Sequence, residues 1–286
     1  MDEDGKVFDY FGGIDDIHNK IIRFVGDADQ RIKEDYLRIL RYFRFAVRFG
    51  FGVTGANFWS ETSTAIRAIK DNVEGLKQVS GERIWMEMQK IVSNPTEATA
   101  AIAVMDDSGI LEAIGMKGMA KRSYNLIGSH RMDNRPEVLV ASCFDEGDID
   151  DWLNVLRDNF HASKEQFRTI EFVAKYNHLA RTRPQSIDLL AFHNKDDVLA
   201  WIAVGYNAAR DVIDTGQYTM LYHEIFDLHV PEFPVTGKDI MDLGWEAGPE
   251  LGRILKELKV YWARTDFSAS RDYLINIVPM TAGAIV

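Results

Sequence analysis

The run from Asp27 to Phe51, DADQRIKEDYLRILRYFRFAVRFGF, constrains this chain more than any other stretch. At roughly 100° per residue it sorts into two faces. Tyr36, Ile39, Leu40, Phe43, Ala46 and Val47 share an apolar face, while Arg38, Arg41, Arg44 and Arg48 share the opposite one. The spacing predicts one amphipathic helix, started by Asp29 and ended at Gly50 and Gly52. Like charges stacked along a helix repel by a few tenths, roughly 0.2–0.5 kcal/mol per neighbouring pair. Folding does not require such a stripe. An anion relieves it, and guanidinium forks suit phosphate oxygens. Glu34 and Asp35 precede the stripe, and their oxygens suit amino or imino donors of a base. A solvated basic face paired with nearby carboxylates accounts for the same pattern without a ligand.

The remaining composition narrows the class. A chain of 286 residues with 46% apolar and 27% charged residues is ordinary for a globular protein of one large or two to three small domains. Its net charge of −11 argues against non-specific nucleic-acid binding but leaves room for local basic patches. The single cysteine, Cys143, excludes an internal disulfide and sits in the apolar run VLVASCF as a small hydrophobe. No apolar run approaches a membrane span, and the acidic opening MDEDGKVFDYFGG lacks a signal-peptide core. These features read as cytoplasmic. None of the seven histidines precedes an aspartate or falls in an H-x-x-x-H spacing, so a zinc site is not signalled.

Organisation along the chain is mostly helical. KVFDYF and IIRFVG read as two short strands flanking Gly12-Gly13 and a short helix in IDDIHNK. Two strands make no stable sheet alone. FWSETSTAIRAIKDNVEGL is amphipathic, Ser80 caps SGERIWMEMQKIVSN, Pro95 stops it, and EATAAIAVMDDSGILEAIG reads as a helix pair. Near-helical periodicity continues to residue 230, and Gly248-Pro249 starts a last helix carrying Arg253, Lys256 and Lys259. The D-x-D of Asp148 and Asp150 lies in DEGDIDDWL, a loop running into a helix start.

The arginine-bearing string resembles the head–neck junction of class II tRNA nucleotidyltransferases (CCA-adding enzymes) and poly(A) polymerases. That family carries E-D-x-x-R with further arginines at three-residue steps, here Glu34, Asp35, Arg38, Arg41 and Arg44. One departure is Ala28, where the family usually has proline. The resemblance extends through D-x-F-G-G-x-x-D at Asp9 to Asp16, I-R-F-V-G at Ile22 to Gly26, E-R-I-x-x-E at Glu82, Arg83, Ile84 and Glu87, and the glycine-rich tail. It implies a mainly all-α fold with a small α/β remnant of a nucleotidyltransferase head. The implied segments are a head remnant (1–28), a neck (29–115), a body (116–230) and a tail (231–286).

The implied activity is addition of CCA to tRNA 3′ ends from CTP and ATP. Asp35 and Arg38 would read the base, Arg41 and Arg44 would hold the triphosphate, and Glu34, Glu82 and Arg83 would support them. Arg253, Lys256 and Lys259 would face tRNA. The metal carboxylates of the family's head, its glycine-rich turn and its R-R-D-F-T-x-N segment do not occur in this sequence. The expectation is therefore a truncated or split form with no catalytic or metal-binding residues of its own, its Mg²⁺ held by the missing head domain, which a split form would carry on a separate chain. A non-catalytic RNA-binding module, a poly(A) polymerase and a helical protein scaffold remain the alternatives.

Overall fold

The computed structural model describes residues 8–19, 21–49, 64–143, 149–176, 182–208 and 215–278. Among them every regular element is helical. In chain order these are α1 (Gly13–His18), α2 (Ala28–Glu34), α3 (Arg38–Arg48), α4 (Thr64–Asn72), α5 (Gly81–Val92), α6 (Pro95–Asp107) and α7 (Ile110–Ala113). There follow α8 (Asn125–Met132), α9 (Pro136–Ala141), α10 (Ile149–Asn154), α11 (Lys164–Tyr176), α12 (Arg183–Leu190) and α13 (Lys195–Ala208). The last are α14 (Thr215–Asp227), α15 (Gly237–Met241), α16 (Pro249–Arg264) and α17 (Arg271–Asn276). Compactness divides the chain into two units, residues 1–174 and 175–286, where the sequence reading draws four segments.

The expected long helix is two helices, and this corrects the reading of residues 27–51. Asp27, not Asp29, starts α2: its carboxylate accepts from Gln30 N at 2.8 Å. Asp29 instead pairs with Lys33 and with Asn72 on α4. The break falls at Asp35, whose backbone is extended (φ −158°, ψ 103°). Its side chain accepts from Leu37 N at 3.2 Å, so a short polar residue competes with the helical ladder and turns the chain. α3 then restarts with the predicted apolar face intact. Ile39, Leu40, Phe43, Ala46 and Val47 are buried, and Tyr42 joins them, stacked on Phe24.

Neither expected N-terminal strand is present among the described residues, Lys6 and Val7 of the first lying outside them. Residues 8–11 and 21–24 lie in no strand, and there is no strand among the described residues. An isolated pair leaves its ladder groups unsatisfied on both edges. Phe8, Tyr10, Phe11, Ile21 and Val25 are correspondingly exposed. The expected short helix does form, as α1, with Asp15 and Asp16 in its first turn. Gly12 enters it in the left-handed region (φ 72°), and the Asp9 carboxylate accepts from Gly13 N and Ile14 N at 2.8 Å. Those two amides hold Asp9 below the usual carboxylate range.

In the first unit, α3 lies against both α5 and α6, and α2 against α4. Ser80 precedes α5 and Pro95 opens α6 at its first position, so one proline ends the first helix and begins the second. Glycine is demanded where α5 begins: a Cβ on Gly81 would sit 1.7 Å from Asn159 O, in the π turn Val155–Asn159 that extends α10. Cys143 is buried, which pushes its thiol up to about 12 and leaves it inert.

In the second unit, α12 lies against α16, joined by the two-pronged Arg264–Asp188 pair at 2.8 Å. Thr236 and Asp239 form a capping box on α15. The Thr236 amide, helped by Arg271, pushes the Asp239 carboxyl down to about 2. His193, partly buried and bonded to the Tyr176 hydroxyl at 3.0 Å, has its pKa lowered by that burial. No helix among the described residues is long and apolar enough to cross a membrane.

Candidate functional site

The break at Asp35 gives the site its geometry. Glu34 ends α2, Asp35 forms the corner, and Arg38 opens α3 one turn later. Glu34 Oε2 accepts from Arg38 Nη1 at 2.5 Å and also pairs with Arg31. Arg38 is the main cause of the lowered Glu34 pKa. The second proton of Arg38 Nη1 goes to Arg31 O at 2.6 Å. Nη1 is thereby saturated, while Nε and Nη2 have no partner among the described residues. Two bonds from α2 thus fix the plane of the first guanidinium on α3.

Asp35 is held from the other side. Arg83, on α5, reaches both carboxylate oxygens through Nη2, at 3.2 Å to Oδ1 and 3.0 Å to Oδ2. Oδ1 also accepts from Leu37 N. Arg41 Nη1 stands 3.8 Å from Oδ2, which is an ion-pair distance rather than a hydrogen bond. By lone-pair count Oδ1 is filled and Oδ2 retains room for one more donor. Tyr36, the next residue, lies with its ring against Gly75, where a Cβ would come within 2.1 Å of two ring carbons.

Further along α3, Arg44 is partly buried, and its guanidinium carbon lies 4.6 Å above the Phe45 ring. Its Nε faces Glu87 Oε2 of α5 at 3.2 Å. Arg48 is exposed. The stripe is therefore not four repelling cations in water. Arg38, Arg41 and Arg44 each have a carboxylate nearby, from α2, the corner and α5 respectively. Of the motif on α5, Arg83 and Glu87 reach the site. Glu82, expected as a supporting residue, is exposed and makes no ion pair or hydrogen bond among the described residues. Glu87 is the residue that sequence reasoning left outside the site. Its signal was present, one turn beyond Arg83 on the same face.

The tail residues divide in two. Arg253 is neutralised within α16 by Glu250 and Glu257, both at 2.6 Å. Lys256 and Lys259 instead lie over aromatic rings, Phe192 at 5.9 Å and Phe233 at 5.6 Å. Their ammonium groups stay available to a polyanion. Neutralising Lys256 and Lys259 together is expected to lower the slope of log affinity against log salt for a nucleic-acid polyanion by about two units, one for each lysine that no longer neutralises a phosphate. Arg253→Ala is expected to leave it nearly unchanged. Filter binding across a salt series measures both, and a parental slope in the double variant would make these lysines ordinary surface.

Among the described residues no cluster of three or more His, Cys, Asp or Glu side chains is arranged to hold a metal ion. Asp150 and Asp151 sit exposed or nearly so at the start of α10, and Asp148 lies outside the described residues. The donor set among the described residues does not fit a magnesium pair.

Comparison with known proteins brings these observations together. Residues 61–116 match a family pattern described as "Probable RNA and SrmB-binding site of polymerase A". The chain is 32% identical over 285 residues to the mitochondrial CCA tRNA nucleotidyltransferase 1 of Mus musculus, covering 97% of this chain and 63% of the relative. The Danio rerio protein of the same name is 29% identical over 286 residues, covering 96% and 62%. A CCA-adding enzyme of Streptococcus sanguinis is 28% identical over 270 residues, covering 91% and 63%. The chain thus spans a little over three fifths of the length of these relatives. Among solved structures, a CCA-adding enzyme complexed with ATP aligns with a TM-score of 0.61 at 19% identity, over 96% of this chain and 66% of the other. A Thermotoga maritima CCA-adding enzyme complexed with tRNA aligns with a TM-score of 0.57 at 18% identity, over 96% and 67%. At these identities the structural likeness concerns the fold.

Proposed function

We propose that the chain is a member of the family of CCA-adding tRNA nucleotidyltransferases and poly(A) polymerases, and that its α2–α3 corner selects the nucleotide. The reaction is CCA addition to tRNA: transfer of a nucleoside monophosphate from CTP or ATP to the RNA 3′-hydroxyl, with release of pyrophosphate. In this reading Asp35 and Arg38 read the base edge and Arg41 and Arg44 hold the triphosphate. Glu34 and Arg83 keep the readers in place, and residues 231–286, with Lys256 and Lys259, grip tRNA.

The observation that carries the reading is the set of hydrogen-bond sites left at the corner. Among the described residues Asp35 keeps one acceptor site and Arg38 keeps donors at Nε and Nη2. A base is accepted if it presents an amino donor beside a ring-nitrogen acceptor. Cytosine does so with N4 and N3, adenine with N6 and N1. Uracil and guanine present a carbonyl beside an N–H, which sets acceptor against acceptor and donor against donor. One template thus admits both correct nucleotides and rejects both incorrect ones, because a mismatch leaves partly buried polar groups unpaired.

We propose Mg²⁺ as the metal of the family reaction, where it would supply charge neutralisation for the triphosphate. The described residues do not fit that metal, so the part assigned to them is base selection and phosphate neutralisation alone. The cytoplasm is the proposed compartment, with the mitochondrion, named in two relatives above, the alternative that cell fractionation would reveal.

The test is nucleotide binding by the full chain. Arg41→Ala and Arg44→Ala are each expected to weaken ATP and CTP alike, by about 1.5–3 kcal/mol, about 10- to 150-fold. Phosphate contacts carry no base information. Calorimetric titration with both nucleotides decides the point, and opposite effects on ATP and CTP would remove the phosphate role. The polymerase match also favours a second reading, poly(A) synthesis. Loss of CTP binding with ATP binding intact would select it.

A further inference from the structure

The contact between Arg44 and Glu87 is unusual in being close, buried and unsatisfied. Arg44 Nε and Glu87 Oε2 stand 3.2 Å apart, yet the approach lies off the N–H direction, and neither atom has a hydrogen-bond partner among the described residues. The Glu87 side chain is only 5% exposed, and its other oxygen receives one long hydrogen bond from Lys90 at 3.4 Å. A carboxylate in that position is normally satisfied by directed bonds. Here it holds Arg44 by charge alone. Its effect on Arg44 is electrostatic neutralisation, weakly screened because the pair is withdrawn from water.

We propose that Glu87 is a built-in counter-ion for the phosphate-binding face of α3, one that an incoming polyphosphate must outcompete, so that it lowers nucleotide affinity irrespective of the base. The proposal rests on the phosphate role given to Arg44 above. In the empty site Glu87 balances Arg44 and spares α3 an unpaired, half-buried cation. When a polyphosphate arrives, Arg44 turns its fork to a better-directed acceptor, and Glu87 remains as a nearby negative charge repelling it. Lys90 is the group left to balance Glu87 in the loaded state. Glu87 touches no substrate in this scheme; it acts through Arg44. A site tuned in this way gives up affinity and releases pyrophosphate more readily, which suits a reaction whose product is itself a polyanion.

The sign of the expected effect separates this from simple support. If Glu87 only positioned Arg44, its removal would weaken binding. As a competing counter-ion, its removal strengthens binding. The experiment titrates the full 286-residue chain with inorganic tripolyphosphate, ATP and CTP, comparing the parent with Glu87→Gln, Arg44→Ala and the double variant. Glu87→Gln is expected to bind all three about tenfold more tightly, with the ATP-to-CTP ratio unchanged and the gain absent when Arg44 is alanine. Unchanged or weaker binding in Glu87→Gln, with the parent still dependent on Arg44, overturns the counter-ion role and leaves the phosphate site standing. Parent binding that ignores Arg44→Ala overturns both. Should Glu87→Gln melt well below the parent, Glu87→Asp decides: it keeps the charge one methylene further from Arg44, and an intermediate gain in affinity is expected, against none or a loss if Glu87 merely positions.

Discussion

Asp35→Ala is expected to collapse discrimination between CTP or ATP and UTP or GTP while leaving triphosphate affinity largely in place. The carboxylate does three things at once. It accepts the Leu37 amide that makes the corner, holds Arg83 through both oxygens, and keeps one lone-pair site open beside Arg38. Alanine removes the acceptor that distinguishes an amino group from a carbonyl. The penalty for the wrong base then shrinks by about 1–3 kcal/mol, about 5- to 150-fold in the ratio of dissociation constants. Asp35→Asn is the sharper variant. It keeps the shape of the corner but can turn an amide N–H toward the base, and is expected to move preference toward uracil and guanine. Equilibrium titration of the full chain with the four nucleotides reads the effect. Parental ratios in both variants would remove Asp35 from base reading, whatever happened to overall affinity.

The residues of this corner were legible in sequence, but its shape was not. Helical periodicity identified the buried face of α3 almost residue for residue, because burial repeats with the turn of the helix. The same periodicity ran straight through Asp35. A pattern of apolar spacings cannot register a single extended residue when the phase resumes after it. The local signal was chemical: a short acidic side chain inside a helical run competes for backbone amides. The Glu34–Arg38 pair was readable as an i,i+4 contact. The resemblance alone marked Arg83 as a support; which carboxylate it pairs with, and that Glu87 meets Arg44, were not readable, since nothing local says which face of α5 meets α3. The tail shows the converse. Arg253, Lys256 and Lys259 look alike as a basic run, yet two glutamates one turn away on either side silence the first. The N-terminal strands were legible as apolar segments, but pairing is a property of partners, and the described residues supply none.

Close backbone approach is the feature least visible in sequence, and Gly81→Ala is expected to expose it with a large loss of stability in the first unit. Gly81 opens α5, the helix that brings Arg83 and Glu87 to α3. A Cβ there would lie 1.7 Å from Asn159 O and 2.4 Å from Asn159 C. Those are backbone atoms in a π turn, and no side-chain rotation removes the clash. Either α5 moves as a body or the turn rearranges. Overpacking of this kind costs about 3 kcal/mol, at the upper end of its usual range. For a unit of 174 residues that is a fall in melting temperature of roughly 6–12 °C. Because the displaced helix carries Arg83, base discrimination should fall in the same variant at temperatures where it is still folded. Gly252→Ala supplies the opposite sign. Gly252 lies inside α16 with nothing within 4 Å of an added Cβ, so alanine is expected to stabilise by about 0.5–1 kcal/mol through helix propensity. Thermal melts of the two variants beside the parent settle both. A Gly81→Ala chain melting with the parent would mean that α5 and the π turn do not approach as closely as described, and that the placement of Arg83 over Asp35 needs another cause.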